Sequence, residues 1–372
     1  MKATKAARQQ DKAKAVVMYM AAELSAKTWV FGFSDGSHDR VVTVKAWDQM
    51  AVGTAIAAAA RKSGLPRDVR VLGVQEAGRD AFSVHRYFES LGVESVVVDP
   101  ASIEVPRRAR RAKTDRLDAG RLLRLLMRWA GGEKQALTVL HVPSPEVEDR
   151  RRLLRERDRL VGERTRETNR AKSLLATVGL KVSKLPAKWP ELLPAFRTWD
   201  NAPLPRNLLR ELERLAARWR LLNEQLAAVN AELKATRSSV AQRLEGLKGI
   251  GPVAAETLDR EFLWRDFHNR REVGGASGMT GTPFNSGDSQ RDQGISKAGN
   301  ARIRHVMIEA TWLWVRYQPD SEVTLWWRKY CGGGPGHLRR KGIVGAARRL
   351  LIALWRYAAF GELPAGARLS AA

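Results

Sequence analysis

Between Thr28 and Trp129 the apolar positions recur in two rhythms. Short runs rich in β-branched and aromatic residues, at Thr28–Phe33, Arg40–Lys45, Val69–Gln75 and Ser95–Val98, have the length and content of strands. An Ala-rich stretch at 48–62, a segment at 80–91 and another at 114–129 instead carry apolar residues three or four apart, the spacing of helices. The order β-β-α-β-α with a closing helix predicts a layered α/β domain, in which ligands bind at strand carboxyl ends and the loops after them. Glu76 stands at one such end, followed by Ala77 and Gly78.

The pattern changes after the linker Gly131–Pro145. A charged helix is predicted at about 146–178. After a Pro- and Trp-containing stretch at 185–205 comes a second helix, with apolar residues Leu208, Leu212, Leu215, Trp219, Leu222, Leu226, Val229 and Leu233. Steps of four and three alternate there without a fault, which is the seam of a coiled coil. That seam folds back on the preceding helix, joins a second chain, or does both. A role in a dimer is favoured, because a long polar arm alone buries little.

After Arg243, the run Leu247-Lys-Gly-Ile-Gly-Pro-Val-Ala-Ala255 has the form of a helix-hairpin-helix turn. Its glycines let backbone N–H groups approach a phosphate, so Lys248, Gly249 and Gly251 are candidate contacts; the alternative is an ordinary Gly-Pro helix junction. Residues 274–299 are rich in Gly, Ser, Thr and Asn and read as a functional loop. Two apolar helices follow, at 303–317 with Trp312 and Trp314 in core positions, and at 342–360 with a basic side of Arg348, Arg349 and Arg356.

Charge sharpens this outline. Lys and Arg number 65 against 40 Asp and Glu, a net +25, so a polyanion is the expected partner and nucleic acid the default one. No apolar run approaches the ~20 residues that a membrane span needs. The stretch 15–24 is short and carries Glu23, so residues 1–26 read as a helical basic arm and not as a signal. Cys331 is the sole cysteine, which excludes an intramolecular disulfide and a multi-cysteine zinc site, and the six histidines lack metal-ligand spacing. A reduced cytoplasmic, nucleoid-associated protein is expected.

Lys113-Thr-Asp-Arg-Leu-Asp-Ala119 places Asp115 and Asp118 on one helix face, directly after the basic run Arg107, Arg108, Arg110 and Arg111. Two readings stand. Thr114 or Asp115 caps the helix with Asp118 in its first turn, or the pair joins Glu76 to hold magnesium against a phosphodiester. A fourth acid is expected on the first strand, where Ser34 takes the presenting position and Asp35 comes one step later; Asp35 is the candidate. A second constellation is Asn285-Ser-Gly-Asp-Ser289, with Arg291, Lys297 and Arg302 near it in sequence. A serine there can attack a positioned phosphorus, giving a phosphoserine-linked strand and a free hydroxyl, although the same composition also describes a solvent-exposed turn.

Glu76-Ala-Gly, Lys113–Ala119, the heptad seam, Gly249-Ile-Gly251 and Ser286-Gly followed by Ser296-Lys-Ala-Gly299 occur in one order. Together they resemble the DEDD transposases of the insertion-sequence one-ten family, from about Thr28 to Tyr317. The resemblance implies an α/β plus α protein. It has a ribonuclease-H-like (RuvC-like) N-terminal domain at 27–135, a coiled-coil region at 145–236 and a mainly helical C-terminal transposase domain at 240–372. By motif, Glu76, Asp115 and Asp118 match the second, third and fourth magnesium-binding acids, and Ser286 matches the catalytic serine. Ser34 stands in the column of the first acid, a departure from the family pattern.

The resemblance further implies dimers and tetramers, and a bridge RNA that pairs with donor and target DNA. Arg107, Arg108, Arg110, Arg111, Lys113, Lys248, Gly249, Gly251, Arg291, Lys297 and Arg302 are then the expected nucleic-acid contacts. The expected activity is DNA transposition through a phosphoserine. The alternatives are a resolvase-type, metal-dependent nuclease using water and a catalytically inactive nucleic-acid-binding relative.

Overall fold

Val17–Leu24, placed in a basic arm by its sequence, is a β-strand (β1) and the central strand of a five-stranded sheet. The computed structural model describes residues 16–103, 114–286, 289–331 and 334–370. Of 285–286 and 289–292 it describes the backbone alone. Its contacts divide into two units, Met1–Pro143 and Ser144–Ala372.

The first unit continues with β2 (Thr28–Ser34), β3 (Asp39–Lys45), α1 (Gln49–Lys62), β4 (Arg70–Glu76), α2 (Ala81–Ser90), β5 (Val93–Val98) and α3 (Asp115–Ala130). The sheet order is β3-β2-β1-β4-β5, with β1–β2 and β2–β3 antiparallel and β1–β4 and β4–β5 parallel. This mixed α/β arrangement is consistent with a ribonuclease-H-like domain.

β1 differs in content from the strands read in sequence, since Met18, Met20, Ala21 and Ala22 are neither β-branched nor aromatic, and both of its faces are covered. Met18, Met20 and Ala22 join Trp29, Phe31, Phe33, Val84 and Phe88 in one core, while Ala21 joins Leu72, Val74, Leu122 and Leu126 in another. A strand buried on both sides shows no apolar–polar alternation. The α/β domain therefore begins at or before Val17, and the boundary expected at residue 27 moves accordingly.

In the second unit, α4 (Pro145–Ala176) leads through the short α5 (Trp189–Leu192) to α6 (Arg206–Ala235). Leu154 and Leu160, early in α4, cluster with Leu226, Val229 and Leu233 late in α6, while Ala171 and Leu175 cluster with Leu212 and Leu215, so the two helices run antiparallel. The heptad seam is thus closed by α4 of the same chain. Of the alternatives that the sequence leaves open, the fold-back on the preceding helix is present, with Leu212 and Leu215 almost fully buried within one chain.

The unit is completed by α7 (Ser239–Glu245), α8 (Pro252–Glu261), α9 (Arg270–Ser277), β6 (Gly281–Ser286), β7 (Ser289–Ile295), α10 (Ala301–Tyr317), α11 (Glu322–Cys331) and α12 (Gly336–Phe360). Leu244, Leu258, Phe262, Ile303, Met307, Trp314, Leu350 and Leu354 form its core. Trp314 is buried and donates to Ser321 Oγ at 2.8 Å, whereas Trp312 stays partly exposed with its ring edge-on to Trp327. The polar stretch read as a loop contains the end of α9 and a two-stranded antiparallel ladder. Asn269 starts α9 by accepting the amides of Arg271 and Glu272, a local signal independent of apolar spacing. Among the described residues no helix is long and apolar enough to cross a membrane.

Candidate active site

Glu76 ends β4, and the last β1–β4 rung pairs Ala22 with Gln75. One step further along these parallel strands, Glu23 comes level with Glu76. Side chains two residues apart share a face. Ala21 and Val74 both pack with α3 residues, so Glu23 and Glu76 lie on the α3 side of the sheet.

The first turn of α3 brings two more carboxylates to this side. Thr114 Oγ accepts the Leu117 amide at 3.3 Å, so Thr114 is the N-cap and Asp115 is not. Asp115 and Asp118 occupy the first turn, where the helix dipole favours negative charge. A Cβ on Gly32 would lie 3.5 Å from the carbonyl oxygen of Ala119, and Gly32 pairs with Ala21; the bare glycine lets the start of α3 settle over β1 and β2. Asp118 is mostly buried and accepts from Arg121 at 3.4 Å, while Glu76 and Asp115 are exposed.

This donor set consists of carboxylate oxygens alone, the chemistry that suits magnesium. Among the described residues no three His, Cys, Asp or Glu side chains converge closely enough to hold a metal ion. What the fold assembles is a set of backbone positions along one edge. A cavity of about 370 Å³ opens at the ends of β1 and β4, lined by Glu23, Glu76, Gly78, Trp29 and Trp47 and by neither Asp115 nor Asp118. The two indoles meet edge-on, with centroids 5.1 Å apart.

Asp35 is elsewhere. Ser34 pairs with Tyr19 of β1, and Tyr19 with Leu72 of β4, so Asp35 lies past the end of the ladder opposite to Glu76. Its Oδ1 accepts the amides of His38 and Ser37, each at 2.8 Å, and those bonds hold the carboxyl below its ordinary value. Asp35 organises a turn, which corrects its assignment as the first acid. The carboxylate that the fold brings level with Glu76, and that the sequence reading did not single out, is Glu23. Its signal was a lone carboxylate inside the otherwise apolar run Val16–Leu24. Arg107, Arg108, Arg110, Arg111 and Lys113 lie outside the described residues.

The second unit carries the serine. Ser286 is the last residue of β6 and pairs with Ser289, and Arg291 pairs with Phe284. The segment returning from this ladder folds against the end of α9: the amides of Ser296, Lys297 and Asn300 donate to Thr280, Gly278 and Ala276 at 2.9, 3.1 and 3.1 Å. Lys297 has φ 56° within that turn.

Arg302, expected on phosphate, forms an ion pair with Asp158 and lies 3.9 Å from Glu261. Its guanidinium is held by carboxylates at the junction of α4, α8 and α10, which corrects that expectation. Glu261 is fully buried and accepts from Arg155 Nε at 2.7 Å and Nη2 at 3.0 Å. Burial pushes its carboxyl up, but the Arg155 hydrogen bonds and the charges of Arg155, Arg151 and Arg302 outweigh that and hold it below the usual range.

The α7–α8 turn is tied to the C-terminal segment. The Lys248 amide donates to Arg368 O at 3.1 Å, and the Lys248 carbonyl accepts Gln318 Nε2 at 2.8 Å. Gly249 has φ 94°, and Gly251 precedes Pro252 at the start of α8. The Lys248 amide is therefore occupied within the protein.

The transposase family described as IS116/IS110/IS902 matches residues 241–324, and a second transposase family, the DEDD type of IS110, matches residues 48–179. A Sinorhizobium fredii protein named as a transposase, y4rJ, is 42% identical over 310 residues, covering 79% of this chain and 78% of its own. A second from that organism, y4qE, is 31% identical over 280 residues, covering 74% and 66%. The Coxiella burnetii transposase for insertion sequence element IS1111A is 26% identical over 258 residues, covering 68% and 69%.

Proposed function

The chain belongs to the IS116/IS110/IS902 transposase family of DNA-processing enzymes, and we propose that it cuts and rejoins DNA through a Ser286 phosphoserine intermediate. Ser286 Oγ attacks phosphorus and loses its proton. The strand oxygen leaves as a free hydroxyl, and attack by a new hydroxyl releases the serine. Glu23, Glu76, Asp115 and Asp118 would hold magnesium in this reading, which would supply charge neutralisation at the phosphate. The observation that carries the metal reading is that Glu23 comes level with Glu76 one step past the Ala22–Gln75 rung, on the side covered by α3. A catalytically inactive relative was suggested by the absence of an acid at Ser34, and Glu23 removes that ground.

The charge of +25 supports a guide RNA in the reading: base pairing would supply sequence while the protein grips backbones of RNA and of donor and target DNA. We further propose a RuvC-like domain running from β1, and a homodimer or tetramer joined through surfaces other than the α6 seam. Incubating the protein with DNA, magnesium and the guide RNA that this reading requires is expected to give an SDS-resistant protein–DNA adduct, absent in Ser286→Ala. Normal recombination by Ser286→Ala would overturn the mechanism.

One observation favours a second reading. The four acids all belong to the first unit, so hydrolysis by a metal-activated water needs nothing from the unit that holds Ser286. It predicts free cleaved ends, no covalent adduct, and activity lost in Asp118→Ala but retained in Ser286→Ala.

A further inference from the structure

Arg270 and Arg271 open α9, and Arg348 and Arg349 lie midway along α12. With Trp326 and Ile352 they line a cavity of about 460 Å³. The Arg349 guanidinium sits 4.4 Å over the Trp326 ring, and Trp326 in turn stacks on Tyr330 with centroids 5.2 Å apart. A Cβ on Gly345 would lie 2.9 Å from that indole, so the glycine lets the ring rest against α12.

Among the described residues, none of these four arginines has a carboxylate within ion-pair distance. Nearby acids have other roles: Glu272 bonds to His268 and Asn269, and Glu362 pairs with Arg356 at 3.1 Å. Glu322 and Glu362 line a neighbouring cavity that shares Arg270 and Arg349. Four like charges gathered without a carboxylate at ion-pair distance repel one another, and an anion with repeated charge relieves this. Guanidinium groups also match phosphate geometry in a way that ammonium groups do not.

We propose that this groove grips the phosphate backbone of duplex DNA. DNA is chosen because the chain belongs to a transposase family, and the proposal does not depend on the serine or magnesium chemistry. Contacts of this kind position the duplex without reading its sequence. A site of this form in the Ser286-bearing unit would hold DNA independently of the acidic edge.

The test is fluorescence anisotropy with the full chain and a mixed-sequence DNA duplex, titrated with salt. Removing two phosphate contacts by Arg270→Gln with Arg349→Gln should reduce the slope of log affinity against log salt by about 1.8, and weaken binding roughly tenfold or more near 0.1 M salt. The doubly Lys-substituted protein keeps the charge and should keep the slope, and thermal melts check that all variants are folded. An unchanged slope on DNA in a folded double Gln variant overturns the proposal. So does a slope lowered on an RNA duplex alone. Glu76→Gln, run beside them, should keep the DNA slope and lose strand breakage; if breakage persists, the magnesium reading fails and the groove stands.

Discussion

Glu23 and Glu76 occupy the same level of two adjacent parallel strands, one step past the Ala22–Gln75 rung and on the side of the sheet covered by α3. Loss of either carboxylate should therefore have the same consequence. Glu23→Gln and Glu76→Gln are each expected to lower DNA cleavage by on the order of 100-fold or more, with magnesium titration showing weakened metal dependence. Asp35→Asn should cleave normally, because its carboxylate serves the amides of Ser37 and His38. If Asp35→Asn is inactive and Glu23→Gln is not, the metal edge has been assigned to the wrong strand.

The helices were legible because their apolar residues follow a period that one-sided burial imposes, and β2 to β5 because of their β-branched and aromatic content. β1 was not, since Met18, Met20, Ala21 and Ala22 give it little β-branched or aromatic content, and burial of both faces leaves no alternation to mark it. With β1 hidden, β2 took the place of the first strand, and the search for an acid fell on Ser34 and Asp35. The seam from Leu208 to Leu233 was legible as a seam, but sequence periodicity does not name the partner that closes it. The arginine–carboxylate junction at Glu261 was invisible for a different reason. It joins residues far apart in the chain, and a buried Glu reads in sequence like an exposed one.

That junction makes stability pH-dependent. The folded carboxyl of Glu261 is held below its unfolded value, so its contribution is complete above about pH 4.3 and is lost as pH falls through the lowered folded value. Glu261→Gln should cost about 3–5 kcal/mol at neutral pH, because Arg151 and Arg155 lose their buried counter-charge. Urea midpoints measured at neutral pH and in acid should show the gap between wild type and variant closing in acid. A gap of constant size would mean that the pair is not what stabilises the junction.

The closed seam gives a prediction about assembly. Leu212 is fully buried and Leu226 nearly so, both against α4 of the same chain. Leu212→Ala and Leu226→Ala should each destabilise the chain by about 2–5 kcal/mol through the cavity they leave. Light scattering should find the oligomeric state of the surviving folded protein unchanged. Dissociation of an oligomer at unaltered monomer stability would instead put the seam between subunits.

The chain that returns from the Ser286 ladder to α10 crosses the end of α9 at two glycines. Gly278 has φ 67°, and a Cβ there would fall 1.9 Å from the carbonyl oxygen of Ala298; Gly299 has φ 103°, and its Cβ would fall 2.3 Å from that of Ala276. These are backbone obstacles, so no side-chain rotation relieves them. Left-handed strain alone costs about 1 kcal/mol or more, and the collision adds to it by driving Ser296–Gly299 off α9. Gly278→Ala should thus shift the ladder that carries Ser286 while leaving the acidic edge of the other unit untouched. The expected result is a fall in Ser286 adduct yield with wild-type salt dependence of DNA binding. Equal loss of both would mean that the substitution unfolds the unit and does not merely misplace the serine.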